Sequence, residues 1–115
     1  MSKRFWRSTA VAVCLLLTGG SARAQKELYT TNALLEHCRN SLVEGARFPR
    51  PFEAGFCMGL VAGASYTDPK SCAPEAATIN QLTRVVLAYI ELRPQRLNEP
   101  FMKLVVEALR NEWPC

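Results

Sequence analysis

The sequence predicts an all-α protein, a small four-helix bundle stapled by two disulfides. Three observations carry that reading. Apolar residues recur at helical spacing in several separate segments. A central stretch, Phe52 to Tyr66, is uncharged from Ala54 onward and places Gly55, Gly59 and Gly63 every four residues. Cysteines at 38, 57, 72 and 115 remain once an N-terminal targeting segment is set aside. No convincing strand competes, because Val85-Val86-Leu87 lies inside a longer capped helical pattern.

Met1 to Ala24 reads as a secretory signal peptide. Lys3, Arg4 and Arg7 precede an apolar run from Ala10 to Leu17, and Ala22-Arg23-Ala24 forms a small-residue cleavage site. Cys14 falls within that run and belongs to the discarded peptide. Cleavage would start the mature chain at Gln25 and send it to an oxidising compartment. The formal charge of +4 comes from 14 basic and 10 acidic residues, and the signal peptide holds four of the former and none of the latter. The mature chain is therefore neutral, which argues against a nucleic-acid surface or an anionic membrane as partner. Residues 25–115 form one domain, a size at which a hydrophobic core alone is marginal and covalent staples help.

The first helix is expected from the capping residues Thr30, Thr31 and Asn32 to about Glu44, with the stripe Leu34, Leu35, Cys38, Leu42 and a stop at Gly45. Residues 46–51 contain two prolines and cannot continue it. The central helix follows, apolar nearly all round, as expected of a helix buried in the middle of a bundle. Its glycines are expected to admit a neighbouring helix at close range, and its uncharged run of thirteen residues is too short to cross a bilayer. Neither a phosphate loop nor any other cofactor motif accompanies them.

Thr67 to Ala77 is rich in turn formers and reads as a surface loop held at Cys72, the best candidate for contact with another molecule. Asp68, Lys70, Ser71 and Glu75 are its candidate partner-binding residues. The third helix opens on a capping box, Thr78 with Gln81, continues through Ile79, Leu82, Val85, Val86, Tyr89 and Ile90, and stops before Pro94. In the fourth, Asn98 is the expected cap, Pro100 falls in the first turn, and Phe101, Leu104, Val105, Ala108 and Leu109 make the stripe. Glu99 with Lys103, and Glu107 with Lys103 or Arg110, are expected surface pairs.

Positions equidistant from the middle of a helical hairpin face each other. The midpoint of Cys38 and Cys57 falls near the centre of the connection between the first two helices, which favours that pair and leaves Cys72 with Cys115, although sequence alone permits three connectivities. Zinc is a poor fit without a C-x-x-C pair. Catalysis is equally poorly supplied: His37 is the single histidine and is expected to be an exposed helix residue, the cysteines are consumed in disulfides, and the carboxylates are scattered. A binding protein is expected, not an enzyme.

Taken in order, Leu34-Leu35-Glu36-His37-Cys38, Cys57-Met58-Gly59-Leu60-Val61-Ala62-Gly63, Cys72-Ala73-Pro74, Gln81 to Val86, Leu104 to Leu109 and Trp113-Pro114-Cys115 resemble the Rap/Tai family of immunity proteins. The resemblance spans nearly the whole mature chain and is most specific at C-x-G-x-x-x-G, at the Arg93-Pro94 to Pro100 connection and at the terminal Pro-Cys, where Trp113 replaces the family's usual Phe. It implies a small periplasmic helical protein, often a homodimer, that binds a peptidoglycan amidase delivered by type VI secretion and occludes its groove with a loop. By position that loop is Thr67 to Ala77. The alternative is a periplasmic chaperone, or an envelope interaction protein with no toxin partner.

Overall fold

The computed structural model describes residues 29–43 and 51–115. The expected signal peptide and its cleavage after Ala24 lie outside those residues, as do the expected helix stop at Gly45 and most of the connection that follows it. The described chain comprises four α-helices, α1 (Thr31–Ser41), α2 (Pro51–Thr67), α3 (Ile79–Glu91) and α4 (Phe101–Glu112), with a 3-10 turn at Pro94–Arg96. Only isolated bridges interrupt the helical pattern: Thr30 with Pro100, and Ser71 with Pro114. The all-α expectation stands.

Each helix contributes one buried stripe to a shared core. From α4 come Phe101, Leu104, Val105, Ala108 and Leu109, the set its periodicity predicts, and from α3 come Leu82, Val86, Leu87 and Ile90. Packing of this kind stabilises by roughly 1.5–3 kcal/mol for each large side chain removed from water. Leu34, Leu35 and Cys38 from α1 and Ala54, Cys57, Val61 and Ala64 from α2 complete the core.

Both disulfides form as the hairpin geometry favours. Cys38–Cys57 joins α1 to α2 with Cα atoms 5.3 Å apart and is fully buried. Cys72–Cys115, with Cα atoms 5.1 Å apart, ties the loop after α2 to the last residue. Closing loops of 19 and 43 residues is worth roughly 3 and 4 kcal/mol in the chain-entropy model.

The glycines of α2 depart from expectation. Gly55, Gly59 and Gly63 face outward, and a Cβ built on any of them meets nothing within 4 Å, so among the described residues no helix uses the close approach they permit. The helix still touches the other three, but through the opposite stripe at 54, 57, 61 and 64. Uniform apolarity gave no sign of which side would be inside.

Helix ends differ too. α1 stops at Ser41, short of Glu44: Ser41 Oγ donates to the Cys38 carbonyl, and the Leu42 and Val43 amides donate to Arg39 and Asn40, three residues back. That tightening ends the α-helical ladder. Its first amides, at Thr31 and Asn32, are met by the carbonyls of Glu99 and Leu97 at 3.0 and 2.8 Å. The same pairing carries the chain past Asn98 in a non-helical conformation, so α4 begins at Phe101 behind Pro100, and the Phe101 amide donates to Tyr29. For α3 the Thr78 half of the capping box forms: Thr78 Oγ1 accepts from the Gln81 amide at 3.2 Å.

Candidate functional site

The loop between α2 and α3 is fastened to the C-terminal end of α4 at three successive points. Arg110 donates from Nε and Nη2 to the two carboxylate oxygens of Asp68, at 2.8 and 2.7 Å. Three residues on, Ser71 bridges to Pro114. The Cys72 amide donates to the Trp113 carbonyl at 2.8 Å, beside the Cys72–Cys115 disulfide. Three kinds of bond hold one short backbone segment, so its conformation is set before any partner arrives. A segment ordered in advance loses less entropy on binding.

The fastening follows from the local sequence. Thr67 Oγ1 bonds back to the Gly63 carbonyl at 2.8 Å as α2 ends, and Pro69 then forces a turn, closed by the Ser71 amide on the Asp68 carbonyl at 3.3 Å. Asp68 also accepts weakly from the Lys70 amide. The Arg110 guanidinium holds the Asp68 carboxyl below its ordinary range, and Asp68 in turn raises Arg110. Although Arg110 is open to water, the Asp68 side chain is only 5% exposed, so the bidentate pair is partly shielded.

The four candidate contact residues therefore divide. Lys70 and Glu75 project from the exposed part of the loop, together with Pro69, Pro74 and Ala76. Asp68 is engaged by Arg110, and the Ser71 hydroxyl is buried with no hydrogen-bond partner. Asp68 and Ser71 shape the loop from beneath, while Lys70 and Glu75 are exposed. Beside the loop is a groove of about 550 Å³, walled by Ala62, Ser65 and Tyr66 of α2, by Ala73 and Pro74, and by Ile79 of α3. Glu75 stands at its rim.

Sequence reasoning missed a second polar cluster, on the opposite end of α4. Arg96 clamps Glu99 through Nε and Nη2, the latter at 3.1 Å, and reaches Glu107 from Nη1 at 2.7 Å. Tyr89 donates its hydroxyl to Glu107 at 3.2 Å, and Arg93 lies 3.6 Å over the Tyr89 ring. Glu99 with Lys103 forms as expected, at 2.7 Å, but Glu107 turns to Arg96, and Arg110 crosses to the loop. Helical spacing shows only the local partners; which distant charge wins is decided by tertiary position. Arg96, helped by Lys103, pulls the Glu99 carboxyl down to about 2, and Arg96 lowers Glu107 as well. The cluster fixes the 3-10 turn against α4 and engages both of its own carboxylates, Glu99 and Glu107.

His37, expected to be exposed, is instead half-buried beside Tyr29, Phe52, Glu53 and Phe56. Among the described residues no three His, Cys, Asp or Glu side chains gather as metal ligands, and no helix is long and apolar enough to cross a membrane.

No curated protein matches the chain significantly, and no solved structure does. A family model does: that of the Rap1a immunity proteins matches residues 30–115, from the residue before α1 to the C-terminal cysteine. The match takes in all four helices, both disulfides and the fastened loop. Proteins of this family act by binding a toxin and perform no reaction themselves. The chain belongs to the family of Rap1a immunity proteins.

Proposed function

We propose that this immunity protein works in the periplasm, where it binds a peptidoglycan amidase delivered by type VI secretion and blocks its substrate groove with the loop Asp68 to Ala77. The observation that carries the reading is the triple fastening of that loop to α4 by Arg110, by the Trp113 carbonyl and by Cys72–Cys115. An inhibitor that works by occlusion must present a shape that does not collapse in the enzyme's groove, and a loop ordered beforehand does so at low entropic cost. Lys70 and Glu75 contribute the outward polar contacts, while Asp68 and Ser71 set the backbone that displays them.

Secretion through cleavage after Ala24 agrees with a fold that depends on two disulfides, since an oxidising compartment is where such bonds persist. The protein acts as a homodimer in this reading.

The test uses the oxidised protein as bait for secreted and envelope proteins of its own species. Recovery of a cysteine–histidine amidase whose digestion of isolated peptidoglycan stops on adding the protein supports the proposal. Clean capture of one envelope protein without lytic activity, or of many unrelated clients, would replace it with the envelope or chaperone alternative.

A further inference from the structure

Of the residues that wall the groove beside the fastened loop, one is charged: Glu75, at the rim. The others are neutral, two hydroxyl side chains, Ser65 and Tyr66, among alanines, a proline, an isoleucine and a leucine. Asp68, Glu99 and Glu107 are each taken by an arginine, but Glu75 is exposed, and among the described residues no lysine or arginine pairs with it. The groove therefore offers a full negative charge beside an apolar wall.

That charge is held in place. The Ala77 amide donates to the Pro74 carbonyl at 3.0 Å, closing a turn with Glu75 and Ala76 at its corner. This turn lies between the Cys72–Cys115 disulfide and the Thr78 cap of α3, so both of its ends are anchored. The start of α3 carries the equivalent of about half a positive charge, and Thr78 Oγ1 meets part of it by accepting from the Gln81 amide. A carboxylate outweighs what is left.

A guest that suits both features has an apolar stem and a cationic head. A groove of about 550 Å³ has room for one long side chain and the main chain that carries it. Arginine fits better than lysine, because a flat guanidinium stacks on an aromatic ring and grips both oxygens of a carboxylate at once. Tyr66, 93% exposed, supplies the ring, and Glu75 the carboxylate. The molecule makes both kinds of contact elsewhere, with Arg93 over the Tyr89 ring and Arg110 on the two oxygens of Asp68.

We propose that this groove receives an arginine side chain of the protein that the loop meets, with the stem against Pro74 and Ile79 and the guanidinium between Tyr66 and Glu75. Ala73, Pro74 and Glu75 belong to loop and groove alike, so a partner that covers the first also covers the second. The identity of that partner rests on the toxin reading, in which the arginine belongs to the amidase.

The first arm of the experiment needs no toxin. Nα-acetyl-arginine amide is titrated into the oxidised, nitrogen-15-labelled protein and followed by amide chemical shifts. Expected are saturable shifts centred on Tyr66, Ala73, Glu75 and Ile79, with a millimolar dissociation constant that rises about tenfold in Glu75→Gln and about threefold in Tyr66→Leu. The citrulline analogue, which keeps the shape and loses the charge, should bind the wild type no better than arginine binds Glu75→Gln. An absence of saturable shifts, equal affinity for citrulline, or shifts centred away from the groove would overturn the proposal. The second arm titrates the captured amidase with the same variants, where Glu75→Gln should inhibit about tenfold more weakly at an unchanged melting temperature. Arginine binding in the groove without amidase inhibition by the wild type sinks the toxin reading alone. Inhibition equally strong in the wild type, Glu75→Gln and Tyr66→Leu sinks this inference alone.

Discussion

At the residue scale the decisive groups are three arginine-bound carboxylates. Glu99 is drawn from the usual 4.5 to about 2 by Arg96 and Lys103, and Glu107 and Asp68 are lowered by Arg96 and Arg110. A carboxyl whose folded pKa is depressed contributes stability that is complete above its unfolded pKa and is lost as pH falls through the folded one. The melting temperature should therefore hold steady from neutrality to about pH 5 and decline through the interval between 4.5 and about 2. In Arg96→Gln that decline should be shallower and should start from a lower neutral value, which thermal melts followed by circular dichroism will show. Ser71 offers an opposite sign: its hydroxyl is buried without a partner, so Ser71→Ala should match or exceed the wild-type melting temperature, relieving a group that costs about 1–3 kcal/mol. These charges were all visible in the sequence, but apart from Lys103 their partners were not. Arg110 to Asp68 spans 42 positions, beyond anything helical spacing can indicate.

At the scale of elements, α2 is a helix with two faces, one packed and one bare. Since the bare side meets open space, Gly59→Ala should raise the stability of the monomer by about 1 kcal/mol, the difference in helix propensity, measured by urea denaturation in dilute solution. A loss of stability would mean the glycine is needed within the monomer. The sequence could show that this helix was unusual but not which side would be inside, because a helix apolar all round has no stripe to point with. By contrast the stripe of α4 was legible residue by residue and that of α3 in part: Leu82, Val86 and Ile90 are buried as expected, while Ile79, Val85 and Tyr89 are only partly covered and Leu87 takes a core place that the spacing did not name. The starts of α1 and α3 were both legible, at Thr30 and Thr78, but only Thr78 caps with its side chain; the first amides of α1 go instead to the backbone carbonyls of Glu99 and Leu97, which no local motif announces. The loop element carries its own prediction. Cys72 and Cys115 are exposed, whereas Cys38 and Cys57 are buried, so mild reduction should open the former pair first. Hydrogen exchange should then rise in residues 68–77 while α1 and α2 stay protected, and simultaneous loss of protection everywhere would show that the loop is not a separate unit.

For the whole molecule, the disulfides, the four stripes and the fastened loop form one plan. A small bundle is tied by two crosslinks, and the second of these also positions the loop proposed to meet a toxin. The order of motifs along the chain made the family legible, because those motifs are the framework. The side chains proposed to face a toxin are less legible: position alone placed Asp68, Lys70, Ser71 and Glu75 in one loop, and the structure separates exposed Lys70 and Glu75 from Asp68, engaged by Arg110, and Ser71, whose hydroxyl is buried. The measurement that bears most directly on the account is titration of the captured amidase, acting on isolated peptidoglycan, with the wild-type protein and with a Lys70→Glu, Glu75→Lys double variant. The account predicts stoichiometric inhibition by the wild type and at least about a hundredfold weaker inhibition by the variant, the loss expected when central contacts of an interface are reversed, with its melting temperature unchanged. Equal inhibition by both proteins would contradict it and move the toxin-binding surface away from the loop.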